Sequence, residues 1–170
     1  SGIGREICLR FGLEGAQLII ADYNTIALKK LSEELDSMNL LHYTKELDVR
    51  DENQISELIA DTQRLFNKID VLVNAAGVLG PMSKPIESLS LEDWNLTLGV
   101  NLVGASLIMK HAIPLMKDNG GSVINIASTA GLNPIDGAAP YCVSKAGVIM
   151  LTRVAALEYG QYNIRVNSIC

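Results

Sequence analysis

The chain has 170 residues, 48% hydrophobic and 19% charged, with a formal net charge of −5; this suits one domain with a buried core and excludes a disordered chain. Its cations are scattered singly, so no basic field exists for nucleic acid, and no nucleic-acid partner is expected. No apolar run approaches the roughly 20 residues that span a bilayer and no signal-peptide pattern opens the chain, so no membrane partner is expected. The three cysteines, Cys8, Cys142 and Cys170, show neither Cys-x-x-Cys spacing nor a dense disulfide framework, and His42 and His111 stand apart. The expectation is a reducing, cytoplasmic setting without a metal site.

In chain order, Ser1-Gly2-Ile3-Gly4 forms a glycine-containing turn where a helix begins, and residues 5–11 suit that helix. Residues 16–21 read as a strand stopped by Asp22, and Asn24 can cap a second helix with apolar positions Ile26, Leu28, Leu31 and Leu35. A short strand is predicted over 42–49, then a helix capped by Asp51 whose stripe is Ile55, Leu58, Ile59, Thr62, Leu65 and Phe66. The run 69–73 suits a buried strand. A loop with Gly77, Gly80, Pro81 and Pro85 precedes a short helix over 91–98, and a longer helix is predicted over 99–117 with Pro114 late in it. A strand over 122–127, a loop over 128–140, a helix over 141–159 and a strand over 164–169 complete the order.

Strands alternating with helices imply βαβ crossovers, so the predicted class is α/β: a Rossmann-like, doubly wound, mostly parallel sheet with helices on both faces. Residues 1–170 read as a single, partial domain, because the chain opens inside a turn at Ser1 and stops after a strand-like run at Cys170. In such sheets ligands bind at the carboxyl ends of the strands, and Asp22, Asn74 and Ser128 fall at those ends.

Three local features carry chemistry. Gly2 and Gly4 at a helix start allow backbone amides to approach a phosphate, although an ordinary tight turn fits two glycines equally well. Asp22, about 20 residues on, is placed to accept the hydroxyls of an adenosine ribose and to repel the extra phosphate of NADP, which favours NAD; the alternative is a strand-ending cap for the following helix, a role Asn24 could equally fill. Tyr141 and Lys145, four residues apart, share one helical face, where an ammonium can stabilise a phenolate. The same spacing also describes an exposed tyrosine beside a solvated lysine.

Taken in register, Ser1 to Gly4, Asn74-Ala75-Ala76-Gly77, Asn101, Ser128, Tyr141, Lys145 and Arg165-Val166-Asn167 resemble the short-chain dehydrogenase/reductase family, in its single-domain oxidoreductase branch. The resemblance covers essentially the whole chain. It implies that Gly2 and Gly4 are the second and third glycines of the cofactor turn, with Ile3 beside the pyrophosphate and nicotinamide. It implies that Asp48 and Val49 hold the adenine, a solvated strand-end acid being the plain alternative for Asp48. Asn74, Ala75, Ala76 and Gly77 would pass close beside the cofactor, with Asn74 more structural than chemical. The implied activity is hydride transfer between NAD(H) and a secondary alcohol or ketone, with Tyr141 as general base in oxidation and general acid in reduction. Lys145 would stabilise the phenolate and bind the nicotinamide ribose, Ser128 would polarise the substrate oxygen, and Asn101 would hold a water linking Lys145 to solvent. Residues 78–93 and 129–140 would supply part of the substrate pocket, with Asn133, Ile135 and Asp136 facing it.

The resemblance further implies a homodimer or homotetramer assembled through the 99–117 and 141–159 helices. It also implies that the family's first strand, between those holding Asp22 and Val73, and its C-terminal substrate lid lie outside this chain; the sheet should then be split. The alternative activity is a nucleotide-binding regulatory or scaffold protein of the same fold without turnover.

Overall fold

The structure is a computed structural model and describes residues 2–170; Ser1, the first of the expected cofactor-turn residues, lies outside the described residues. The elements alternate as the sequence predicts: α1 (Gly2–Leu13), β1 (Leu18–Asp22), α2 (Thr25–Ser37), β2 (His42–Glu46), α3 (Glu52–Phe66), β3 (Val71–Asn74), α4 (Leu91–Leu98), α5 (Ala105–Ala112), β4 (Gly121–Ile126), α6 (Ala139–Tyr159) and β5 (Ile164–Ile169). All observed strand pairings are parallel.

Local chemistry explains the boundaries. Asn24 caps α2 by accepting from the Ala27 amide at 3.0 Å, and Asp51 caps α3 by accepting from Asn53 and Gln54. The α3 stripe buries Ile55, Leu58 and Thr62, and Asn67 ends the helix in the left-handed region at φ 61°. A capping box between Ser90 and Asp93 starts α4.

The helices expected over 91–98 and 99–117 differ from the observed structure. They run together as one helical stretch, Leu91–Leu115, of 25 residues, in which Gly99–Gly104 forms a wide π-helical turn between α4 and α5 and Ile113–Leu115 a final 3₁₀ turn at Pro114. The stretch is long and apolar enough to cross a membrane by length and composition alone, which scanning for uninterrupted apolar runs missed because Asn95, Asn101 and other polar residues interrupt it. Here it packs into the fold: its apolar side joins Val100, Leu107 and Ile108 to the α3 core residues Ile55 and Leu58, and Lys110 and His111 both reach Glu52.

Among the described residues the strands form two ladders, β1-β2 and β3-β4-β5. This is the split expected from the family's strand order, and it leaves β1 and β3 each hydrogen-bonded on one side only. Side chains join the two halves. One core lies on the larger ladder, where Met109, Ile113 and Met116 meet Val123, Ala155, Ile164 and Val166. A second fills the space between α1, β1 and α2 around Leu18, Ile20, Leu28, Leu31 and Leu35. The cluster of Leu47, Val49, Ile55 and Leu58 touches Ile19 and Ala21 on one side and Val100, Leu107 and Ile108 on the other, and so bridges them. Gly104 makes that bridge possible: a Cβ there would stand 2.7 Å from Val49 Cγ2 and 3.0 Å from the Val49 carbonyl oxygen.

Candidate active site

The carboxyl ends of the larger ladder and the first turns of α6 enclose a cleft of about 430 Å³. It is lined by Ile3, Ala75, Gly77, Val78, Ser128, Tyr141, Lys145, Ile169 and Cys170, among others. A second concavity of about 420 Å³ between α2 and β2, lined by Ser32, Asp36 and residues 40–44, contains none of the expected site residues.

Asn101 is the most constrained of them. It is 2% exposed, its Oδ1 accepts from the Val78 amide at 2.8 Å, and its Nδ2 donates to the Val78 carbonyl at 2.9 Å and to Ser144 Oγ at 2.9 Å. Ser144 Oγ donates in turn to the Tyr141 carbonyl at 2.7 Å. The π turn therefore presents an amide that clamps the loop after β3 and, through Ser144, the first turns of α6. Ser144 was not singled out in the sequence; its place three residues after Tyr141, on the same helical face, was the available signal.

Lys145 is 5% exposed and its Nζ donates to the Ile126 carbonyl at 2.7 Å, a bond the sequence could not show because it closes across β4 and α6. Burial pushes its ammonium below the ordinary lysine range. Nζ lies 5.8 Å from the centre of the Tyr141 ring, so the pair does share one face and one cleft. Gly77 faces both residues, for a Cβ there would stand in ordinary contact, 3.4 Å from Asn101 Oδ1 and 3.5 Å from Lys145 Nζ.

Ser128 stands two residues past β4 with extended backbone, and its Oγ accepts from the Ala130 amide at 3.1 Å, capping the 3₁₀ turn Thr129–Gly131. It thus initiates a loop and lines the cleft at once. Because that bond uses an oxygen lone pair, the hydroxyl proton stays available for a second partner.

The remaining expected residues divide. Ile3, Ala75 and Gly77 reach the cleft, Ala76 is exposed beside them, and Gly4 approaches Ala75, with a Cβ at Gly4 3.6 Å from Ala75 Cβ. Gly2 and Gly4 are already inside α1, Gly2 at φ 54°. Asn74 is buried at the end of β3; its Nδ2 donates to Asn125 Oδ1 at 2.8 Å, while its Oδ1 is buried without a hydrogen-bond partner among the described residues. Asn125 continues to Thr152 Oγ1 at 2.9 Å, so Asn74 anchors a buried polar chain. Asp22 accepts from the Asn24 amide at 2.8 Å but does not cap the following helix; Asn24 performs that cap, accepting from the Ala27 amide.

One alternative is refined and one expectation corrected. The Asp48 carboxylate is paired at the surface: both oxygens accept from the Arg50 guanidinium, at 2.6 to 3.1 Å, and Arg50 holds it below the usual carboxylate range. Val49 beside it is buried against Gly104. Asn133, Ile135 and Asp136 are exposed and none of them lines the cleft; the Ile135 amide is instead drawn to Cys142 Sγ at 3.4 Å, which turns that part of the loop along the start of α6.

This arrangement can be compared with known proteins. A profile of the family described as enoyl-(acyl carrier protein) reductase matches residues 1–170. The fold of a short-chain dehydrogenase from Mycobacterium smegmatis superposes with a TM-score of 0.93 at 31% identity, covering 99% of this chain and 70% of that one. The chain belongs to the short-chain dehydrogenase/reductase family. Meso-2,3-butanediol dehydrogenase of Serratia marcescens is 32% identical over 170 residues, covering all of this short-chain dehydrogenase/reductase chain and 66% of the relative. A 7α-hydroxysteroid dehydrogenase whose structure holds NADH and 7-oxo glycochenodeoxycholic acid has a TM-score of 0.93 at 30% identity, covering 100% of this chain and 66% of that one. The short-chain dehydrogenase/reductase chain described here thus spans 66% of the length of either relative.

Proposed function

We propose that this protein is an oxidoreductase that transfers a hydride between NAD(H) and a secondary alcohol or ketone, with residues 1–170 forming its nucleotide-binding domain. The observation that carries the reading is the convergence of Tyr141, Lys145 and Ser128 on one cleft, backed by the buried Asn101 clamp. Dehydrogenase relatives across the whole chain support it.

The residues present fit a nicotinamide dinucleotide. Small, exposed Ala75, Ala76 and Gly77 leave the loop after β3 open to a flat ligand, and Gly77 leaves no side chain between that ligand and Lys145. Bound there, the cofactor would accept or donate the hydride. Asp22 would bind its adenosine ribose through the carboxylate oxygen not used by Asn24, and its charge favours NAD over NADP. Asp48 can reach an adenine only by sharing or releasing Arg50, so its part in binding is secondary to that of the Asp48-Arg50 pair as a loop clamp.

In the direction of oxidation the substrate hydroxyl gives its proton to Tyr141 Oη, and in reduction Tyr141 returns it. The Lys145 ammonium has three N–H donors and spends one on Ile126, which leaves two for the ribose and for a proton path. Ser128 donates its hydroxyl proton to the substrate oxygen while Ala130 fixes the oxygen from behind. Asn101 keeps Val78 and Ser144 in place beside them.

Val143, Met150, Val154 and Leu157 on α6 and Val103 in the π turn are exposed and apolar, which supports pairing of two copies through these helices as a homodimer or homotetramer. The three free cysteines suit a reducing, cytoplasmic setting.

The test is turnover of a panel of secondary alcohols, meso-2,3-butanediol among them, by the intact protein with NAD and with NADP. Tyr141→Phe should lower kcat by about 100-fold or more, the usual cost of losing a general base. Turnover that survives within about tenfold would show that Tyr141 is not the base, and NAD binding without turnover of any alcohol or ketone would assign the fold to a regulatory or scaffold role.

A further inference from the structure

We propose that Gly131 is a positioning residue for catalysis: the absence of a side chain there sets the distance between Ser128 and the Tyr141-Lys145 turn of α6. The proposal rests on the reading of Ser128, Tyr141 and Lys145 given above.

Ser128 follows β4 and lies on a different element from α6. What brings them together is the 3₁₀ turn Thr129–Gly131, which begins at Ser128 and lies against the middle of the catalytic turn of α6. An ideal Cβ built on Gly131 would stand 2.6 Å from the Lys145 carbonyl carbon, 2.8 Å from the Ala146 amide nitrogen and 2.8 Å from the Lys145 carbonyl oxygen. All three atoms belong to the backbone of α6 and cannot swing aside as a side-chain tip could. Ordinary contact begins at 3.4 Å, so a methyl group would have to drive the turn away from α6 by about 0.8 Å, the shortfall against that limit.

Conformation is not the reason for glycine here. Gly131 is not among the glycines with positive φ, so an L residue could adopt its backbone angles; it is the space that forbids one. This separates Gly131 from Gly137, whose φ is 69°.

The displacement would pass directly to Ser128. The turn is one small rigid unit: Ser128 Oγ accepts from Ala130 N at 3.1 Å, Ser128 O accepts from Gly131 N at 2.9 Å, and Thr129 O accepts from Leu132 N and Asn133 N at 3.0 and 2.8 Å. Ala130 inside it is 4% exposed. Lys145, on the other side of the contact, is held by Ile126, and Tyr141 by Ser144 and Asn101. With the helix fixed, the turn carrying Ser128 is the part that moves. A reacting group misplaced by about 1 Å can cost about 100-fold in rate, and cofactor contacts at Asp22 and residues 75–77 lie on other elements.

A double-mutant cycle in the intact protein tests this, using the alcohol from the panel that turns over fastest and measuring kcat alongside NADH affinity by fluorescence titration. S128A should lower kcat by about 100-fold. G131A should lower kcat by at least about tenfold with NADH affinity within about threefold of wild type, and in the S128A background it should cost less than about threefold, since the group it misplaces is already gone. If S128A is slow but G131A retains kcat within about threefold, the positioning role is overturned while the reading of Ser128 stands. Equal cost of G131A in both backgrounds overturns it as well, because the damage then bypasses Ser128. Should S128A retain full activity, the reading of Ser128 fails and takes the proposal with it. If G131A does not fold, A130V, which crowds the buried side of the same turn, enters the cycle in its place with the same criteria.

Discussion

Asn101 and Val78 are locked together by a reciprocal pair of hydrogen bonds, Oδ1 from the Val78 amide at 2.8 Å and Nδ2 to the Val78 carbonyl at 2.9 Å. A side-chain amide here completes the backbone of another segment much as a neighbouring strand would. The third bond, to Ser144, ties the same group to α6, so one residue in a π turn fixes two walls of the cleft.

Asn101→Leu should therefore destabilise the intact protein as well as slow it. It leaves both Val78 backbone groups without partners, and an unsatisfied buried group costs about 1–3 kcal/mol. Urea unfolding should show a loss in that range with kcat reduced. Ser144→Ala, which frees only a helix carbonyl and one amide N–H, should cost about 1 kcal/mol. A larger loss for Ser144→Ala than for Asn101→Leu would contradict the ranking.

Lys145 makes stability depend on pH in a direction that follows from its burial. Its folded pKa lies below the ordinary value of 10.5, so between the two values the unfolded state binds the extra proton and stability rises with pH. Below the folded pKa the cost of the buried charge is fully present. Lys145→Met removes the group. Wild type should gain on the variant as pH climbs through that window towards 10.5, read as converging or crossing urea midpoints in the absence of cofactor. A gap that moves the other way would mean that the fold stabilises the ammonium.

Asp22→Ala should change which cofactor is preferred. Loss of a charged acceptor from a ribose hydroxyl removes about 1.5–3 kcal/mol, equivalent to an increase of about 10- to 100-fold in the KM for NAD. The KM for NADP should stay level or fall, because the repulsion of its extra phosphate is gone. Steady-state kinetics with both cofactors will decide it; an unchanged ratio would leave Asp22 with only the Asn24 turn.

The 170-residue chain on its own should self-associate. Among the described residues β1 and β3 are each hydrogen-bonded on one side only, and Val71 on β3 is 44% exposed, so apolar strand edges are open to another chain. Light scattering should report concentration-dependent association, reduced by Val71→Lys. A soluble monomer that unfolds cooperatively and binds NAD would show that the two ladders close without a further strand.

Several elements were legible from local chemistry. Asn24 and Asp51 mark helix starts because a short side-chain acceptor there satisfies amides that have no other partner. The buried stripe Ile55, Leu58 and Thr62 is visible because an amphipathic helix writes its period into the sequence. The π turn at Gly99–Gly104 is different: nothing in its composition requires a wider turn, and the partners of Asn101 there are Val78 and Ser144, 23 and 43 residues away. Asp48 shows the same limit at short range, since a carboxylate two residues before an arginine can face solvent or pair with it, and here it pairs.

The sequence by itself determined the order of helices and strands, the parallel α/β class and the types of group available for chemistry, because caps, apolar periods and a Tyr-Lys pair at helical spacing act through neighbours a few residues apart. Tertiary structure alone decided which of those groups meet. The Lys145 bond to Ile126, the Asn101 grip on Val78 and Ser144, and the room that Gly131 leaves against the Lys145 backbone all join residues brought close only by packing one element on another. Contacts of that kind depend on the crossing of whole elements, and the residues on either side carry no record of it.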